Sequence, residues 1–223
     1  MTARWVRTLG WWASDYSYVL YWQARGAFTR FDTAELREGE LAPILVIPGV
    51  YESWKFLAPL IAELHAKGHP VHAVPALKMN VKPVPDSAAI VSAFLESEDL
   101  RNVTILAHSK GGLIGKHVMA SSAGSARVKG MVAVATPFAG SIYAKYMLAP
   151  SLRIFSPRDA NLRALAAEED SNARIVSVFG AFDPHIPARS ALGGAKNVEL
   201  PTGGHFRILA KPQVLEEVEE LAR

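Results

Sequence analysis

Apolar positions along this chain alternate between short continuous runs and stretches in which they recur every three or four residues. Ile44 to Ile47, Val71 to Val74, Val103 to Ala107, Val128 to Ala135 and Ile175 to Gly180 are runs rich in β-branched residues. That is the pattern of strands covered on both faces. Val198 to Leu200 ends a sixth. Helices are predicted from Ser53 or Trp54 to about Lys67, from Pro85 to about Glu98 with Asp86 or Ser87 as N-cap, across Leu113, Ile114, His117 and Val118, from Asp159 to Glu169, and from Pro212 to Ala222. Such alternation predicts an α/β fold: a mostly parallel central sheet of about six strands, helices on both faces, and strand C-termini gathered on one rim.

Composition narrows this picture. A chain of 223 residues, 50% hydrophobic and 20% charged, is most economically one globular domain, so any lid must be small. No apolar run is long enough for a bilayer span. There is no cysteine, which rules out disulfides and thiolate chemistry and suits a reducing cytoplasm. The net charge of +3 sits in the first 30 residues, where Arg4, Arg7, Arg25 and Arg30 face only Asp15, and the remaining charges balance. A neutral body gives no electrostatic case for nucleic acid.

Candidate chemistry lies where the period changes. Ser109 stands at a tight turn from strand to helix, flanked by Ala107, Gly111 and Gly112. A serine held on such a turn projects its hydroxyl, and the N–H of Lys110 beside the positive end of the new helix can stabilise an oxyanion. A Gly-rich turn with Ser109 as a cap would read the same way. Asp183 follows the strand at Ile175, where a carboxylate can orient an imidazole or can simply shape the turn ahead of Pro184. His205 lies in a glycine-rich loop after the last strand and is a candidate general base. His65, His69 and His72 cluster around one turn but lack a completing carboxylate, so neither a metal nor a cofactor is expected.

The segment Ala107-His108-Ser109-Lys110-Gly111-Gly112 resembles the nucleophile elbow of the α/β-hydrolase family, in the alanine-first form of small bacterial lipases. Thr136-Pro137-Phe138-Ala139-Gly140-Ser141 resembles the segment after the next strand, with Phe138 where histidine is common. The likeness covers about Pro43 to Leu221, and the order Ser109, Asp183, His205 is the one this fold requires. It implies a triad of those three residues, with an oxyanion hole from the N–H groups of Val50 and Lys110 although Pro48-Gly49 replaces the usual His-Gly. Residues 138–158 would form a lid or acyl pocket with Phe138, Tyr143, Tyr146 and Met147, or else a buried crossover. The implied activity is cleavage of carboxylic esters, small-molecule or lipid-like. An acyltransferase on the same triad and a non-catalytic lipid- or ligand-binding protein stay open. Lys110, with Lys78 and Lys82, would favour anionic substrates.

Residues 1–42 lie outside the likeness, which assigns 43–223 to the hydrolase domain. The first 27 carry four of the five tryptophans. Asp15 in their midst argues against a signal peptide. As a helix they put Trp11, Tyr18 and Trp22 on one face, but Asp15 falls there too. A peripheral membrane helix and a segment packed on the domain or a second subunit both fit, and the imperfect moment favours packing. Oligomeric state is not legible.

Overall fold

Six strands, β1 (Ile44–Ile47), β2 (Val71–Ala73), β3 (Val103–His108), β4 (Val128–Val134), β5 (Ile175–Phe182) and β6 (Lys196–Gly203), form one all-parallel sheet in the order β2-β1-β3-β4-β5-β6. The structure, a computed structural model, describes residues 2–28 and 33–223, with side chains from Leu9 onward except that of Ala27. The chain steps outward from β1 to β2 and then returns to β3 on the other side of β1. Loops leaving β1 and β3 therefore diverge, and a crevice opens at their C-terminal ends.

Helices cover both faces. Leu45, Ile47, Ile105, Ala107, Met131 and Ala133 project to one side, under α3 (Val84–Ser97), α4 (Lys110–Ala120) and α7 (Ala160–Ala167). Ile44, Val46, Leu106, Val132, Val134, Val176 and Val178 project to the other, under α2 (Ala58–Ala66), α8 (Pro212–Ala222) and part of α1 (Thr2–Phe28). Period-two alternation with both sides apolar is why the strands read as unbroken hydrophobic runs. Short helices α5 (Ser122–Arg127) and α6 (Pro150–Arg153) complete the set among the described residues. No helix there is long and apolar enough to cross a membrane.

Two boundaries differ from the sequence expectation. Helix α3 begins at Val84, so Asp86 and Ser87 lie inside its first turn and neither caps it. Ser87 is fully buried and its hydroxyl donates to Asn80 instead. The weak strand signals between Phe28 and Ala42 fall partly on residues 29–32, outside the described residues, and Glu35–Arg37 forms a 3-10 turn.

Crowding fixes the start of α4. A Cβ at Gly111 would collide with the carbonyl oxygen of Ile47, and one at Gly112 with the Thr136 side chain. Alanine in a helix is ordinarily better than glycine by roughly 0.5–1 kcal/mol. Gly111→Ala reverses that sign and costs about 1–3 kcal/mol, because the obstacle is backbone of a central strand. A lower urea midpoint with an unchanged slope checks it.

Candidate active site

Ser109 follows β3 with φ 51° and ψ −118°, a conformation that side-chain-bearing residues rarely adopt. Its N–H donates to Val134 O at 2.8 Å and its carbonyl accepts from Gly112 N at 3.1 Å, so the neighbouring strand and the new helix both hold the turn. Its hydroxyl lies 2.9 Å from His205 Nε2, and His205 Nδ1 lies 2.8 Å from Asp183 Oδ2. The other carboxylate oxygen of Asp183 accepts from the N–H groups of His185 (2.8 Å) and Ile186 (3.1 Å), which fixes the oxygen offered to the imidazole. All three side chains are buried, yet Ser109 and His205 face a cavity.

Burial works against charge on His205, but the Asp183 carboxylate and its hydrogen bond, helped by Glu52 and Asp15, outweigh it and raise the imidazole above its ordinary value. Burial likewise opposes ionisation of Asp183, and His205 with the His185 N–H turns the balance downward. His185 packs on the His205 ring at 4.8 Å between centroids. Burial and the proximity of His205 push it down to about 4, so it is neutral at neutral pH. Asp183, His185 and His205 bring three potential ligand atoms within 4.8 Å of one another. Both nitrogens of His205 are already engaged by Asp183 and Ser109, so the trio does not fit a metal.

Val50 and Lys110 leave their backbone N–H groups without an acceptor among the described residues. The loop carrying Val50 is pinned despite the Pro48-Gly49 departure: Asn80 Nδ2 donates to Pro48 O at 2.7 Å, Gly49 N donates to Glu52 Oε2 at 2.7 Å, and Tyr51 N donates to Met79 O at 2.8 Å. The Lys110 side chain is fully buried on the far side of the elbow, where Nζ donates to the carbonyls of Asn80 (2.7 Å) and Lys82. Burial pushes it down to about 8. Neither it nor Lys78 or Lys82 lines the cavity, so the expected preference for anionic substrates loses its basis.

The cavity has a volume of about 560 Å³. Tyr143 and Met147 line it, as do Ala144, Leu152 and Phe155 from the same insertion. Two expected pocket residues do not. Phe138 is buried in the core between sheet and α4, on the side of the sheet that holds Leu113 and Ala133. Tyr146 lies on the outer side of the 3-10 turn Ile142–Tyr146 and is 72% exposed. The expected lid or crossover takes the form of that turn followed by α6, tied down by Ser141 Oγ donating to His185 O (2.6 Å) and by the Tyr51 and Ser151 hydroxyls 2.7 Å apart.

Sequence reasoning missed the contributions of α1 and of Glu52. Trp12, Tyr16 and Gln23 form part of the cavity wall, and the Tyr16 hydroxyl lies 3.1 Å from His185 Nε2. Glu52 is buried, and its Oε2 also meets His108 Nδ1 at 2.9 Å, while His108 Nε2 donates to His205 O at 3.1 Å. The loops after β1 and β6 are thus joined to the end of β3 through one carboxylate and one imidazole. Available signals were a polar residue beside the Pro-Gly turn and a histidine inside an apolar strand. Glu52→Ala leaves the Gly49 N–H and His108 without their acceptor, and we expect it to cost about 3–5 kcal/mol in urea unfolding, as when one member of a buried pair is removed.

No protein-family model and no curated protein sequence matches the chain. Solved structures do. A mature lipase of Bacillus licheniformis aligns with TM-score 0.64 at 15% identity, over 82% of this chain and 93% of that one. An extracellular α/β-hydrolase from a Paenibacillus species aligns with TM-score 0.58 at 16% identity, over 81% and 98%. An enol-lactonase of Burkholderia xenovorans aligns with TM-score 0.54 at 17% identity, over 82% and 92%. Taken with the six-stranded parallel sheet and helices on both its faces, these alignments show that the chain has the α/β-hydrolase fold.

Proposed function

We propose that the protein is a serine hydrolase of carboxylic esters, acting through an acyl-enzyme on Ser109. One observation carries this: an unbroken hydrogen-bonded relay from Ser109 Oγ through His205 to Asp183, facing a largely apolar cavity. Ser109 attacks the ester carbonyl as His205 Nε2 takes its proton, and the resulting oxyanion is met by the N–H groups of Val50 and Lys110. Collapse expels the alcohol, which takes the proton from His205. Water then enters, gives a proton to the same imidazole and attacks the acyl-serine, and Ser109 recovers its proton as the acid leaves. Asp183 holds the tautomer and the transient imidazolium.

The cavity walls support a reading of the substrate class. A cavity of this volume lies within the roughly 300–1,000 Å³ usual for small ligands. Apart from Glu52, whose carboxylate is committed to Gly49 and His108, its lining carries no formal charge at neutral pH beyond that of the relay. Exposed Ile142, Tyr146 and Leu148 adjoin the lining residues Tyr143 and Met147. Neutral esters with an apolar, lipid-like acyl group fit best.

A fluorophosphonate probe is expected to label the wild-type protein and to fail on Ser109→Ala and His205→Ala; a folded wild-type protein that resists the probe would refute the mechanism. Since His205 must be neutral to act as base and its pKa is raised, kcat/KM on a neutral ester should rise with pH, with its midpoint above the usual imidazole value of about 6.5. Asp183→Asn removes the main cause of that rise. Its limb should move to lower pH, with kcat down about 10⁴-fold.

A further inference from the structure

We infer that Asp15, on the N-terminal helix α1, is a positioning residue for His205, so that α1 is part of the catalytic apparatus rather than an appendage. The inference rests on the ester-hydrolase reading for its kinetic consequences, but its geometric content stands apart from it. Asp15 is fully buried. Its Oδ2 accepts from the backbone N–H of His205 at 2.8 Å, and its Oδ1 accepts from those of Phe206 (2.9 Å) and Arg207 (2.8 Å). These three consecutive N–H groups enter the 3-10 turn Arg207–Ala210, whose own N-cap residue supplies no side-chain bond. Such donors need an acceptor when buried. A carboxylate 190 residues upstream provides it.

Independent features show that the chain is built around this contact. Gly204 takes φ 112°, and a Cβ there would strike the Asp15 carboxylate. A Cβ at Gly203 would strike the Trp11 ring, which stacks on Phe182 at 5.8 Å between centroids. Arg207 Nη1 donates to Ser14 Oγ at 3.0 Å. The glycine pair ahead of His205 is therefore accounted for by the close approach of α1. Because the main chain of His205 is clamped, its ring has little freedom to leave the line between Asp183 and Ser109. The negative charge also favours the imidazolium that forms when Ser109 gives up its proton.

The test compares wild type with Asp15→Asn and Asp15→Glu in the full chain. Asparagine keeps the size but turns a donor toward donors; glutamate keeps the charge but is one methylene too long for the space beside Gly204. Rates are taken per active site titrated by the fluorophosphonate, so a smaller folded fraction does not count as lower kcat. Expected for Asp15→Asn is a fall in kcat of about 10- to 100-fold, of the order a misplaced catalytic group produces, with KM changed less than about threefold. Its acid limb moves to lower pH, and the downfield NMR signal of the proton shared by His205 and Asp183 broadens or vanishes. Asp15→Glu loses kcat but keeps the limb near its wild-type position. Wild-type kcat, limb and NMR signal in folded Asp15→Asn would overturn the proposal. So would a lower folded fraction with wild-type kinetics per site. If Asp15→Asn does not fold, Asp15→Ser, which retains one capping oxygen, is read by the same criteria. A wild-type protein that resists the probe, with an NMR signal still dependent on Asp15, would keep the positioning role and reject the hydrolase.

Discussion

The backbone turn at Ser109 is the constraint on which the rest depends. Its dihedral angles lie outside the regions open to ordinary L-residues, at a cost of about 1–3 kcal/mol. It persists because its surroundings allow no alternative: β3 is central and fully buried, Val134 takes the Ser109 N–H, and Ile47 and Thr136 leave no room for side chains at Gly111 and Gly112. Strain at the serine is met by packing of the whole sheet. The same packing explains why the hydroxyl is held at the rim although its residue is buried.

Once the serine is placed, the site is an exercise in holding loops still. Segments that no ladder hydrogen bonds tie together meet above the strand ends, and buried polar side chains pin them to one another. Glu52 and His108 join the β1 loop to the His205 carbonyl, Asn80 braces that loop from behind while Lys110 holds the segment that carries Asn80, and Asp15 takes the amides after His205. In a low-dielectric interior each unmade bond would be costly, so these side chains specify one arrangement of the rim and exclude near neighbours. The apolar walls could tolerate repacking far more readily.

Legibility in the sequence followed the range of the interactions. The strand runs, α8 and the three loops bearing Ser109, Asp183 and His205 were readable because each is announced within a few residues by periodicity, β-branching or turn chemistry. Of the four residues expected at the insertion, Tyr143 and Met147 line the cavity and Phe138 and Tyr146 do not, because an irregular insertion has no period from which to infer which side faces in. Asp15 is the instructive residue. On the helical wheel it spoils the apolar face of Trp11, Tyr18 and Trp22, and by pattern alone it weakens the case for burial. In three dimensions it is the most buried residue of that face for which side chains are described, since it meets a set of amide donors rather than apolar surface.

By itself, then, the sequence determined the alternation of strands and helices, the parallel sheet that this alternation demands, and the order in which a serine, a carboxylate and a histidine arrive at one rim. These follow from local stereochemistry and from a hydrophobic pattern that only one layer arrangement buries. Tertiary structure alone decided which side chains wall the cavity, that the lysine beside the serine turns away from it, and that an aspartate near the N-terminus closes the loop of the histidine. A buried polar group takes whichever partner the packed chain brings to it. That partner can lie 190 residues away and leaves no mark on the neighbouring sequence.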